Sequence, residues 1–194
     1  MYVRRTMVFS ETLGYDNEAS RTALRAMDAS RQLFLDAYDE HADAIFRHCV
    51  FRVFSRERAE ELVQETFVRF WEYLGKEKKI ENIRAFLYRI ATNLIIDESR
   101  KKKTESLDAL LEDSPYLEPQ GEGADSVERA ALMREAMDYM QKLKPEEREI
   151  IMMRFIDDLS PKEIAEVLRT NPNVVSVRLH RALQSLRRVI PIHE

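Results

Sequence analysis

Cysteine, glycine and proline are scarce in this chain. One cysteine, Cys49, stands among 194 residues, with four glycines and six prolines. A lone thiol excludes an internal disulfide and suits a reducing compartment, so the expected location is the cytoplasm. The low glycine and proline content, with ordinary apolar content and high charge, fits a soluble and mostly helical protein with room for one or two domains. Long apolar runs are also missing. None approaches the ~20 residues that span a bilayer. Arg4 and Arg5 precede Val8 and Phe9, but Ser10 and Glu11 follow at once, which leaves no signal-peptide core. No membrane insertion is expected.

Catalytic and cofactor signals are equally thin. There is no glycine-rich phosphate loop. His41, His48 and Cys49 lie near one another in sequence, but no second pair completes a metal-ligand motif. Cys49 reads as a small buried hydrophobe. Glu60-Glu61 and Glu146-Glu147 are adjacent, so on a helix they point apart and make poor acid/base pairs. The expectation is no metal, no cofactor and no catalytic site.

What is present is charge in blocks. The formal net charge of −4 alone argues against a nucleic-acid binder, but its distribution says otherwise. Residues 84–103 hold six basic residues, Arg84, Arg89, Arg100, Lys101, Lys102 and Lys103, against Asp97 and Glu98. Residues 169–188 hold five arginines and no acid, and residues 104–128 hold eight acids and no base. A partner meets those segments and not the average.

Periodicity places the segments on helices. Apolar residues fall at three- and four-residue spacing from about Asn17 to Phe54, after a loose stretch 1–16. A helix is expected over Ala59–Leu74, ended by Gly75 and the polar residues after it. Asn82 is the expected N-cap of the next helix, which runs to about Lys103. Ser114-Pro115, Pro119, Gly121 and Gly123 mark an acidic, flexible linker over 104–129. Helical pattern returns from Ser126 to Leu143. Pro145, Glu146 and Glu147 form a first turn. Ser160 and Glu163 make a capping box, and Asn171-Pro172 an N-cap with proline at the first helical position. Two short helices across a tight turn are a helix-turn-helix signature. The fold class is therefore all-α: two small helical domains, 34–103 and 130–194, joined by the linker and preceded by an extension, 1–33.

Three helix faces stand out. On Ala59–Leu74, the apolar Val63, Phe67, Phe70, Trp71 and Leu74 share one side, with Trp71 expected in the core. Glu61, Gln64, Glu65 and Val68 lie opposite, a face read as single-signed where a merely solvated face is usually mixed. On the next helix, Phe86, Leu87, Ile90 and Leu94 form the buried stripe, while Arg89, Asn93, Ile96 and Arg100 align elsewhere. Arginines can follow phosphates while Asn93 meets a base, and Tyr88, Trp71 and Tyr73 offer aromatic surface for stacking. The plain alternative is that the aromatics are core and the basic tail complements a helix dipole. On Asn173–Ile190, Val175, Leu179, Ala182, Leu183 and Leu186 face inward. Asn173, Ser176, Val177, His180, Arg181, Gln184 and Arg188 face out, as on a helix that enters a major groove.

AEELVQETFVRFW and RAFLYRIATNLIIDESRKKK resemble the second region of bacterial sigma factors, in particular the extracytoplasmic-function (ECF) group. LKPEEREIIMMRFIDDLSPKEIAEVL followed by VRLHRALQSLRR resembles their fourth region. The resemblance implies a factor that binds core RNA polymerase and promoter DNA, with an anti-sigma factor as regulator. Glu61, Gln64 and Glu65 would then grip the clamp helices of the largest polymerase subunit. Arg89, Asn93, Asp97, Arg100, Lys101 and Lys102 would lie at the minus-ten element, with the loop Gly75–Asn82 receiving an extruded base. Asn173, Ser176, Val177, Arg178, His180 and Arg181 would lie at the minus-thirty-five element. A lysine common in the family's recognition helix is absent here, where Asn173 to Arg178 read NVVSVR. The rival reading is a stand-alone helix-turn-helix regulator of duplex DNA, which would not need the Glu61/Gln64/Glu65 face.

Overall fold

A computed structural model describes residues 17–76, 79–105, 132 and 135–191. Among them are seven helices and no strand, in agreement with the all-α expectation. The stretch 1–16 and the linker from residue 106 lie outside the described residues. Thr104 and Glu105 belong to a helix, not to the linker.

The first module is three helices. α1, Asn17–Val53, is 37 residues long, roughly 55 Å at 1.5 Å per residue, and runs without a break through position 33. It stops at Phe54, which adopts φ 51° while its N–H bonds Val50 O at 3.0 Å. α2, Arg56–Leu74, starts three residues before the expected Ala59, because Ser55 Oγ accepts from Arg58 N and caps the end. α3, Ile83–Glu105, is capped as expected, with Asn82 Oδ1 accepting from Ala85 N at 3.0 Å. The three enclose Ile45, Leu62, Phe70, Leu87 and Ala91, each fully buried. Phe34 stands edge-on to Phe67, with centroids 6.0 Å apart, and holds α1 on α2.

The second module holds α4 (135–141), α5 (Pro145–Phe155), α6 (Pro161–Val167) and α7 (Pro172–Val189). Ser160 and Glu163 form the expected capping box, and Asn171 Oδ1 accepts from Asn173 N at 2.8 Å. Glycine is absent from both helix-ending turns here. Asp158 and Arg169 take the left-handed conformation instead, each at φ 51°. Leu159 N then bonds Met153 O at 2.9 Å, and Thr170 N bonds Ala165 O at 2.9 Å, which closes the last carbonyls of α5 and α6. Ile150, Met153, Leu159, Ile164, Val175 and Ala182 fill the core.

The two modules pack against each other, chiefly α6 on α3. The contact includes a cluster of polar side chains whose members are far apart in sequence, described next.

Candidate nucleic-acid interface

The short α6 and the turn through Arg169 hold α7 with its apolar side inward. Val175 and Ala182 are buried, with Leu179, Leu183 and Leu186 at the margin of the core. The opposite face carries Asn173, Ser176, Val177, Arg178, His180 and Arg181, all six exposed. An exposed Val177 among polar neighbours suits contact with a thymine methyl better than hydration.

On α3 the expected stripe divides. Asn93, Ile96, Asp97 and Arg100 are exposed, whereas Arg89 is half-buried with its guanidinium 4.9 Å from the Phe86 ring centroid. Lys101 and Lys102 occupy the last turns of α3. Tyr88 corrects the expectation. It is 1% exposed and stands edge-on to His48 at 5.0 Å, so it offers no stacking surface. Trp71 errs the other way, at 44% exposure. The buried stripe of α2 is Ala59, Leu62, Val63, Thr66, Phe67, Phe70 and Leu74, and Trp71 lies one residue, about 100°, past Phe70 near its centre.

On α2, Glu61, Gln64 and Val68 are exposed and Glu65 partly so. This face is not single-signed. Arg58 pairs with Glu61, and Arg69 pairs with Glu65 at 2.6 Å. Arg58 also reaches Glu98 of α3 at 2.7 Å.

The three faces are not gathered into one site. The α3 and α7 faces do come close. Ile96 and Ser99 of α3 and Arg178 of α7 line one groove of about 490 Å³. On the other flank, Tyr73, Phe86 and Arg89 face Lys162 and Arg169 across a cleft of about 530 Å³. Lys162 carries no signal in the sequence and Arg169 only its place in the 169–188 arginine block, since only the packing of the modules puts them opposite Arg89.

Between the modules lies a buried polar cluster. His48 of α1 is fully buried. Its Nδ1 lies 2.8 Å from Asp157 Oδ2 and its Nε2 lies 3.2 Å from Thr92 Oγ1. Arg52 donates to Glu149 at 3.1 Å and to Asp157 at 2.9 Å. Arg84 donates to Asp157 O at 2.8 Å and pairs with Glu163 at 3.4 Å. Burial, with Arg52 beside it, holds the His48 pKa below its ordinary value. The neutral ring therefore donates Nδ1–H to Asp157 and accepts from Thr92. Burial works against the charge of Asp157, but His48 and Arg52 outweigh it and hold that carboxyl below the usual range. The same balance keeps Arg52 charged, since Glu149 and Asp157 outweigh its burial.

These features define an all-helical, two-module protein with a helix-turn-helix that shows a basic outer face. Residues 37–105 match the family model of Sigma-70 region 2, and residues 133–186 that of Sigma-70 region 4. The ECF RNA polymerase sigma factor SigW of Bacillus subtilis is 32% identical, over 80% of this chain and 87% of that protein. ECF RNA polymerase sigma factor BldN of Streptomyces coelicolor is 29% identical over 86% of this chain, which spans 64% of that relative's length. The sigma factor RpoE, solved with the anti-sigma factor NepR from Bartonella quintana, shares the fold. Its TM-score is 0.61 at 18% identity, over 84% of this chain and 98% of that one. The chain belongs to the ECF RNA polymerase sigma factors.

Proposed function

We propose that this protein directs bacterial RNA polymerase to promoters. The observation that carries the reading is the outer face of α7, where all six candidate DNA-reading residues are exposed at the end of a capped helix-turn-helix. In this reading Asn173, Ser176, Val177, Arg178, His180 and Arg181 read the minus-thirty-five element in a major groove. Arg89, Asn93, Asp97, Arg100, Lys101 and Lys102 hold the minus-ten element. The cations follow phosphates, and the amide of Asn93 meets a base edge once the strands part. The two reading units are 34–105 and 130–194, with 106–129 as their tether.

Glu61, Gln64 and Glu65 are the proposed grip on core polymerase. Their ion pairs with Arg58 and Arg69 are solvent-exposed, and such pairs contribute only about 0–1 kcal/mol. A basic partner surface displaces them at little cost. The factor performs no chemistry in this scheme, acts in the cytoplasm with the polymerase, and takes an anti-sigma factor as its regulator.

In vitro transcription with purified core polymerase on genomic promoter fragments tests the proposal. Discrete start sites that depend on the added protein are expected. Their absence, with the helix-turn-helix intact, would leave the rival duplex-DNA regulator.

A further inference from the structure

The groove lined by Ile96, Ser99 and Arg178 combines apolar walls with a buried cationic donor that no neighbour satisfies. Its volume, about 490 Å³, lies within the roughly 300–1,000 Å³ of small-molecule pockets. Phe51, Phe54, Ile95, Ile96, Met152 and Leu168 give it its apolar lining. Phe54 is an unusual occupant of its position. It ends α1 at φ 51°, in the left-handed region where such a turn favours glycine. A glycine would suit the turn and would remove one wall of the groove.

Arg148 of α5 lines the same groove. Arg52, Arg58, Arg69, Arg84 and Arg154 each pair with a carboxylate, whereas Arg148 pairs with none among the described residues. Its Nη2 donates to Gln141 O at 3.4 Å, and its Nε is buried with no acceptor among the described residues. Buried donors are nearly always satisfied. A guanidinium edge with Nε unengaged matches a carboxylate, which accepts two parallel N–H bonds. The acids at the groove do not serve it. Glu149 is held by Arg52 at 3.1 Å, and Glu146 is exposed. Those same glutamates set the charge that the groove accepts. They repel a phosphate dianion, while a single carboxylate on an apolar body needs only the one guanidinium.

We propose that this groove binds a medium-chain fatty acid, with Arg148 on the carboxylate and the Phe54–Ile96 lining on the chain. Arg148 belongs to none of the proposed DNA or polymerase contacts, so the site stands apart from the promoter-reading function.

Decanoate, titrated below its micellar concentration into protein with carbon-13-labelled isoleucine methyls, tests it. Ile95, Ile96 and Ile150 line this groove, while Ile156 and Ile190 line a separate apolar groove of about 560 Å³ and report non-specific binding. Saturable shifts of the first three, with the last two unmoved, are expected. Decanol, which keeps the chain and lacks the charge, should bind about tenfold more weakly, and acetate should not bind. Arg148→Met should weaken decanoate about tenfold and leave decanol unchanged. Phe54→Gly should weaken both. The absence of saturable shifts, shifts centred on Ile156 and Ile190, decanol bound as tightly as decanoate, or a folded Arg148→Met with wild-type affinity for decanoate would each overturn the site. If Arg148→Met does not fold, the comparison of decanoate with decanol on the wild-type protein still decides it.

Discussion

Arg52 Nη2 lies 2.9 Å from Asp157 Oδ2, a bond between residues 105 positions apart in the chain. The same guanidinium holds Glu149 through Nε at 3.1 Å and its own helix through His48 O at 2.8 Å. One side chain thus joins α1 to α5 and to the turn after it. Removing one partner leaves the other charge buried, at a cost of about 3–5 kcal/mol. Arg52→Ala and Asp157→Ala should each lower stability in urea by about that amount. The double variant should cost less than their sum, by about 1–3 kcal/mol. Additive losses would show that the two residues do not act as a pair.

His48 makes the folded protein sensitive to acid. It faces Asp157, Glu149, Thr92 and Tyr88 from neighbouring elements and Arg52 from its own. Its pKa in the folded protein lies below the ordinary value of 6.5. An unfolded His48 therefore takes up a proton that the folded one refuses. The stability that depends on it is fully present above that ordinary value and falls as pH drops below it, by at most about 1.4 kcal/mol per pH unit. The Asp157 contribution is lost only at lower pH, below its ordinary value of 3.8. Melting at pH 5.5 should come earlier than at pH 7.5, and His48→Gln should shrink the difference. An undiminished difference in that variant would move the effect to another group.

Asp158 ends α5 at φ 51°, a conformation that costs a non-glycine residue about 1 kcal/mol. Its side chain is 89% exposed in a 3.3 Å pair with Arg154, worth at most about 0.5 kcal/mol at such exposure. Arg84 bonds the Asp158 carbonyl, which any residue supplies. Asp158→Gly should therefore raise the melting temperature by about 2 °C. A drop would mean that the Arg154 pair outweighs the backbone gain.

Glu61→Lys with Glu65→Lys should abolish co-purification with core polymerase. The variant loses two exposed ion pairs and no buried contact, so its melting should shift by less than about 1 kcal/mol equivalent. Normal polymerase binding by the folded double variant would remove the α2 face from the proposed interface.

Cys49 is fully buried on α1, and burial pushes its thiol up to about 12. Iodoacetamide at pH 8 should leave it unmodified over hours in native buffer and modify it quickly in urea. The raised value also means that stability is lost as pH rises from 9 toward 12. Fast native alkylation would show that α1 undocks readily.

Local signals carried most of the fold. Ser160 with Glu163, and Asn171 with Pro172, mark their helix starts within a few residues, because capping is a short-range hydrogen bond. The inward and outward residues of α7 follow from the 3.6-residue period alone. Errors arose where a neighbour outside the window decides. Trp71 sits at the edge of a stripe, and only the course of α1 determines that it is left half-exposed. Tyr88 and His48 are buried by a module that begins many residues later. The α2 face looked single-signed because Arg58 and Arg69 point to other positions of the helical wheel, yet their long side chains reach Glu61 and Glu65. No periodicity encodes an Arg52–Asp157 contact.

Asp157 Oδ1 is buried and has no hydrogen-bond partner among the described residues. Its other oxygen serves both His48 and Arg52. When the protein unfolds, that bare oxygen and its charged neighbours take up water, so unfolding at this cluster is a hydration reaction and its equilibrium follows water activity. Solutes excluded from protein surfaces, such as sucrose, favour the drier folded form. A cell that loses water would hold more of this protein folded with no change in the abundance of its partners.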